Sequence, residues 1–222
     1  MWHLDSHNGH HLFSVDEKTG IQAKEMKERN PQKSGQLRRM EFEYKRHGTT
    51  CLTGAVNVST GKMECYQIQS TRKEEDFVKF IDKLCQGIPK TDKVTILLDQ
   101  LNTHKSESLV KWVAQQIEYA GDLGKKKFKG ILKNQQSRMI FLETQDHRIR
   151  FVYTPKHCSW LNPIENWFGK LQRQRLRHAS FSSIKELESA LIDYIHFSNE
   201  WFAKPYKWKF KGFLKNKKLI LE

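Results

Sequence analysis

Three carboxylates in this 222-residue sequence sit where they could do chemistry: Asp16 in HLFSVDEKT, Asp99 closing VTILLD, and Glu165 inside SWLNPIENWF. Glu165 stands among Trp160, Leu161, Ile164, Trp167 and Phe168, company in which an acid is seldom left without a partner. A local reading needs no catalysis. Asn162 suits a helix N-cap, Pro163 the first helical position, and Glu165 falls at capping-box spacing, with Asn replacing the usual Ser or Thr. Asp16 can likewise start a turn, and Asp99 can cap a following helix or bond the Asn102/Thr103 turn. Gathered in one place, the three would repel and protonate unless a cation lay between them. Hard oxygen donors with open positions suit Mg²⁺ or Mn²⁺, and a pair of such ions is the usual apparatus for displacement at phosphorus.

Whether the three meet depends on the elements that carry them. HLFSVDEKT (11–19) reads as a short strand ending at Thr19-Gly20, with Asp16 at its end, and residues 24–40 as an exposed excursion. CLTGAVNV (51–58) and MECYQIQ (63–69) flank a hairpin turn. Thr71 and Glu74 open an amphipathic helix whose stripe is Phe77, Phe80, Ile81, Leu84 and Cys85. VTILLD (94–99) is apolar on both faces, a central strand with helices on each side, and Asp99 ends it at the carboxyl edge where open α/β sheets place their sites. SESLVKWVAQQIEYA (106–120) is the next helix, 121–148 is basic and turn-rich, and RIRFVYT (148–154) is a strand. Pro163 starts the helix of Glu165, and a Ser183/Glu186 capping box opens the last helix. These elements predict one α/β domain over 1–222: a mixed sheet flanked by helices. If the first strand neighbours 94–99, Asp16 and Asp99 lie side by side and the Glu165 helix covers them.

Charge narrows the partner. The formal net charge is +14, and three segments hold it: eight Lys/Arg against three acids in 121–150, four against none in 170–179, and seven against two in 200–222. Local basic segments on a neutral body suit a polyanion, although a solvated lysine surface gives the same count. No run of 18 or more apolar residues is present, so no membrane span is expected. The start lacks the apolar core of a signal peptide, and the four cysteines (Cys51, Cys65, Cys85, Cys158) form no CxxC pair. A reduced, cytoplasmic protein is the expectation.

VDEKTGIQA around Asp16, LLDQLNTHKS around Asp99, YTPKHCSWLNPIENWF around Glu165 and the later FSNEWFAKPYKWKFKG together resemble the DDE transposases of bacterial insertion sequences, in the mariner-superfamily branch. The match runs from about residue 11 to 212. The resemblance implies a ribonuclease-H-like fold and two divalent ions. It implies DNA endonuclease and strand-transferase activity at element ends and target DNA, with Asp16, Asp99 and Glu165 as catalytic metal ligands. His104 matches a His of the second block and, with Asn162, is a candidate for substrate contact. Expected partners are element-end and target DNA, a second copy in a homodimer, and an upstream DNA-binding polypeptide.

Two departures stand out. Between Asp99 and Glu165 lie 65 residues, about twice the family interval, which marks 121–148 as a basic insertion. No upstream helix-turn-helix precedes the first block, so the chain looks like the catalytic part of a split or truncated transposase. A remnant that only binds DNA, or a ribonuclease of the same fold, are the rival readings. Lys170, Arg173, Arg175 and Arg177 continue the Glu165 helix as candidate phosphate contacts. In the basic tail 204–222, Lys204, Lys207 and Lys209 are further candidates, while Tyr206, Trp208 and Phe210 lean towards packing. His3, His7, His10 and His11 read as a loose terminus rather than a zinc site.

Overall fold

Along β1 (His10–Met26) every second residue faces the same side of a sheet. Phe13 and Val15 enter one core while Ser14 and Asp16 face the other way, towards the helix that carries Glu165. The computed structural model describes residues 9–26, 43–71 and 73–207. The remaining strands are β2 (Tyr44–Asn57), β3 (Met63–Gln69), β4 (Lys93–Leu98) and β5 (Ile149–Tyr153). They form one sheet in the order β3-β2-β1-β4-β5. The β1–β4 and β4–β5 pairs are parallel, and β1–β2 and β2–β3 antiparallel. The sheet is mixed, as expected, but β1 and not β4 is its middle strand.

Helices cover both faces. α1 (Glu74–Gln86), α2 (Glu107–Gln116) and α3 (Gln135–Leu142) close over Phe13, Val15, Ile96, Leu98 and Phe151. On the opposite face α4 (Pro163–Leu171) and α5 (Ile184–Trp201) bury Ile164, Trp167, Phe168 and Leu191 against Leu52 and Val56. The α1 stripe is buried as its periodicity predicts, and fully buried side chains such as Phe80 and Ile81 each contribute about 1.5–3 kcal/mol. Two layers of helix around a twice-buried β4 are what its unbroken apolar run requires.

Several expectations need correction. β1 does not end at Thr19-Gly20. A bulge between Lys18 and Ile21, with Gly20 at φ 65°, adds one residue and lets the strand continue to Met26. Lys24 to Met26 are therefore strand, and the rest of the 24–40 excursion lies outside the described residues. The cap of α1 is not Thr71 with Glu74. Lys73 occupies the cap position, and its N–H donates to Asp76. α2 stops at Gln116, where Glu118 turns to φ 53°.

The segment 121–148 is not surface alone. It contains α3, capped by Asn134, and it places Leu132, Phe141 and Leu142 in the first core. Its basic part is a tight turn, with Lys125 and Lys129 paired across it. Ser183 accepts the Glu186 N–H as predicted, but the Glu186 carboxylate bonds Ser182. Asn199 near the end of α5 clasps the start of β3, accepting from Met63 N and donating to Met63 O at 2.8 and 2.9 Å. None of the four cysteines is in a disulfide among the described residues. No helix among the described residues is long and apolar enough to cross a membrane.

Candidate active site

Parallel register brings the first two acids together. Ser14 pairs with Leu97, so Asp16 and Asp99, two residues further along each strand, stand level at the end of β4. β1 continues past this point, which is why Asp16 sits inside its strand and yet at the sheet's functional edge. α4 then crosses the same face, and Glu165 lies on its first turn.

The joint between α4 and β1 differs from a capping box. Asn162 holds the N-cap position, but its side chain does not cap the helix, and its own N–H bonds Ser159 O. The cap comes from the neighbouring strand. Ser14 Oγ accepts the Ile164 N–H at 2.8 Å and donates to Asn162 Oδ1, while Asn162 Nδ2 donates to Val15 O at 2.9 Å. Asn162 Nδ2 also lies 3.4 Å from Asp16 Oδ2. Ser14 and Asn162 are both fully buried, so they rivet the first turn of α4 to the strand of Asp16. Glu165 is free of cap duty and half-exposed on that turn.

Asp99 is held by a second device. His104 Nδ1–H donates to Asp99 Oδ1 at 2.8 Å, and the Leu101 N–H donates to the same carboxylate. His104 is itself 0% exposed, packed on Phe77 with ring centres 4.4 Å apart, and its carbonyl accepts from Tyr153 OH at 2.7 Å. The expected substrate contacts His104 and Asn162 both stand behind the acids, inside the protein.

Electrostatics binds the three acids into one group. Burial, with only 8% of Asp16 exposed, pushes its carboxyl up to about 7 from an ordinary 3.8. The Glu17 N–H and His104 oppose this rise, and the charges of Asp99 and Glu165 add to it. For Asp99 burial acts upward, but His104, the Leu101 N–H and Lys105 hold its carboxyl below the usual value. Among the described residues no three His, Cys, Asp or Glu side chains converge tightly enough to enclose an ion. The acids are within electrostatic reach and not in contact, as mutually repelling carboxylates are. In donor chemistry, though not in their present spacing, three carboxylates with one reluctant to ionise alone suit a divalent cation.

The basic candidates separate by position. Lys170 lies on α4, while Arg173 and Arg175 sit on a π-type turn (Gln172–Leu176) that follows it, with Arg177 just beyond. The three arginines are exposed. Lys204 and Lys207 are exposed too, whereas Lys209, Trp208 and Phe210 lie outside the described residues. Tyr206 packs on the second core and its N–H donates to Val58 O. His10 and His11 belong to β1, bonded to Thr95 and Asp92, and His3 and His7 are outside the described residues. Two residues escaped the sequence reading. Ser14 was signalled only by its place two positions before Asp16, on the same strand face. Lys105, 6% exposed and 5.9 Å from the Tyr153 ring centre, gave no periodic signal.

A family model, DDE superfamily endonuclease, matches residues 11–188, a span that holds all three acids. This chain belongs to the DDE superfamily of endonucleases. No curated protein matches it. Among solved structures, this DDE chain is similar to Mos1 mariner complexes. The paired end complex with Mn is 13% identical, with 83% of this chain and 48% of that one covered and a TM-score of 0.53. The pre-cleavage Mos1 transpososome is 12% identical at the same coverage, with a TM-score of 0.54. For the Mos1 strand transfer complex the values are 13%, 83% and 47%, and 0.52. At such identity the likeness is one of fold, the ribonuclease-H-like fold. The chain spans about half the length of the Mos1 chains it matches.

Proposed function

We propose that this DDE endonuclease chain is the catalytic unit, over residues 1–222, of a bacterial insertion-sequence transposase. It cuts DNA at element ends and joins the freed 3′-hydroxyl to target DNA. The observation that carries the reading is the meeting of Asp16 and Asp99 at the end of β4 beneath Glu165, with the Asp16 carboxyl raised by burial and by the other two charges. Asp16, Asp99 and Glu165 would hold two divalent ions, Mg²⁺ or Mn²⁺. Ions bound there would activate water and neutralise charge on the reacting phosphoryl group.

The protein supplies positioning. Ser14 and Asn162 fix the turn of Glu165 to the strand of Asp16, and His104 fixes the rotamer of Asp99. Lys170, Arg173, Arg175, Arg177, Lys204 and Lys207 would meet phosphates and orient the duplex, without reading sequence. End recognition would then come from an upstream DNA-binding polypeptide, with the active assembly a homodimer, and a substrate of this kind places the protein in the cytoplasm with the nucleoid.

Incubation with a labelled DNA duplex tests the reading. Cleavage that requires Mn²⁺ or Mg²⁺ and stops with chelator is the expected result. DNA binding without any cleavage in either metal would leave only a binding remnant, and faster cutting of an RNA–DNA hybrid would make the chain a ribonuclease.

A further inference from the structure

The turn near the start of 121–148 carries charge that the acid site does not use. Residues 122–133 hold five lysines against one acid, Asp122. Leu132 anchors the turn in the first core, and its N–H donates to Leu123 O at 3.0 Å. Gly124 and Gly130 close the base at φ 80° and 73°, so tightly that a Cβ on Gly130 would stand 2.8 Å from the Gly124 Cα. Above them the Phe128 N–H donates to Lys125 O at 3.0 Å, and Lys127 takes φ 67°, a region a lysine enters only under strain. Phe128 is 71% exposed, with Lys125 Nζ 5.3 Å from its ring centre. Among the described residues, Lys125 and Lys127 have no carboxylate within ion-pair distance. The turn stands beside the catalytic edge. Lys126 Nζ lies 3.8 Å from the Glu107 carboxylate at the start of α2. Gln135, just past the turn, donates to Asn102 Oδ1 at 2.9 Å, three residues beyond Asp99.

Lysines crowded on one small turn suit a polyanion, but phosphate contacts alone leave the bare ring at their centre unexplained. An anionic lipid surface would take lysines and a ring together, yet one apolar side chain gives it little area to bury. An acidic peptide would match the lysines and leave the ring in water. Duplex DNA fits the charge, the ring and the place. An apolar side chain flanked by cations is how a protein parts a base step from the minor groove. We propose that Lys125–Lys129 is a wedge for duplex DNA. Phe128 enters the minor groove and opens one step between intact base pairs. Lys125 and Lys127 take phosphates on either side, and the duplex bends beside the acids. The closed glycine base and the Leu132 anchor stiffen the turn, so that the DNA yields and not the protein. The proposal rests on the DNA reading of the neighbouring acids and adds a bend in the duplex they would cut.

Energy transfer between dyes on the two ends of a DNA duplex tests it, with the full chain at saturation and chelator present. The duplex is about 20–30 base pairs long, far below the persistence length of about 150, so it is straight when free. Wild-type protein should raise the transfer to that of a bend of about 20–90°. Phe128→Ala should abolish the rise and leave the log–log salt slope of binding unchanged, because the phosphate contacts remain. Phe128→Leu should keep the rise, since a wedge needs apolar bulk and not a ring. Phe128 belongs to neither core, so its variants fold as the wild type does. Replacing Lys125 and Lys127 together with Ala should lower the salt slope by about two. A wild-type complex with a straight duplex overturns the proposal, as does a full bend with Phe128→Ala or an unchanged slope without the two lysines. Wild-type binding to phosphatidylserine vesicles that Phe128→Ala loses, with the DNA bend intact in that variant, would make the turn a lipid contact instead. Metal-dependent cleavage measured in parallel separates the two readings. Cutting of a duplex that stays straight removes the wedge and keeps the nuclease, and bending without cutting does the reverse.

Discussion

Ser14→Ala removes one buried oxygen that serves two partners. The Ser14 hydroxyl accepts the Ile164 N–H at 2.8 Å and donates to Asn162 Oδ1, and all three groups belong to residues with no exposed surface. The substitution leaves a buried donor and a buried acceptor unpaired, each at a cost of about 1–3 kcal/mol. A loss of about 2–6 kcal/mol follows, which in a chain of this length corresponds to a fall in Tm of roughly 4–24 °C. Urea unfolding of the wild type and Ser14→Ala measures it directly, with the m-value as a check that the unfolded state is unchanged. The double variant Ser14→Ala/Asn162→Ala should be less destabilised than the sum of the singles, because each single strands the partner of the other. A Ser14→Ala protein within about 0.5 kcal/mol of wild type, the range of an ordinary surface substitution, would refute the rivet between α4 and β1.

Other outcomes follow from the same geometry. Folded Asp16 titrates at about 7 against 3.8 for the ordinary group, so the native state keeps a proton that the unfolded chain releases. Its contribution is complete below pH 4 and is lost as pH rises through 7, by at most about 4 kcal/mol. Asp16→Asn should therefore flatten the decline in metal-free stability between pH 5 and pH 8 in urea titrations with chelator, and parallel curves would contradict the burial argument. His104→Phe keeps the ring against Phe77 but removes the hydrogen bond to Asp99. Metal-dependent cleavage should fall by about 10–100-fold with DNA affinity unchanged, and full activity would show that Asp99 needs no orienting partner. Phe141→Ala should cost about 3–5 kcal/mol in thermal or urea unfolding, since Phe141 belongs to the first core. A neutral result would return 121–148 to the surface.

The amphipathic α1 stripe, the β2–β3 hairpin and the doubly buried β4 were legible because each has a period that a single segment displays. The side-by-side placement of Asp16 and Asp99 needed only the neighbouring of two strands, and the parallel register supplies it. Less was visible wherever the deciding interaction is distant in sequence. Asn162 and Glu165 carry the local spacing of a capping box, yet the cap is taken by a serine 150 residues away. α3 is a single short helix with an Asn cap, and its core contacts come from Phe141 and Leu142 alone, too few to set a period. Thr19-Gly20 has turn chemistry, but pairing with β2 absorbs it as a bulge. His104 is a substrate candidate in sequence through its match to a His of the family's second block, and only packing on Phe77 shows that it is enclosed.

Cleavage of a labelled duplex in Mn²⁺ by wild type, Asp16→Asn, Asp99→Asn and Glu165→Gln tests most directly whether the three acids form one metal-dependent site. Each single variant should lose cleavage by several orders of magnitude while retaining DNA affinity and a cooperative unfolding transition. Wild-type cleavage by any one of the three would contradict a shared site and remove that residue from it.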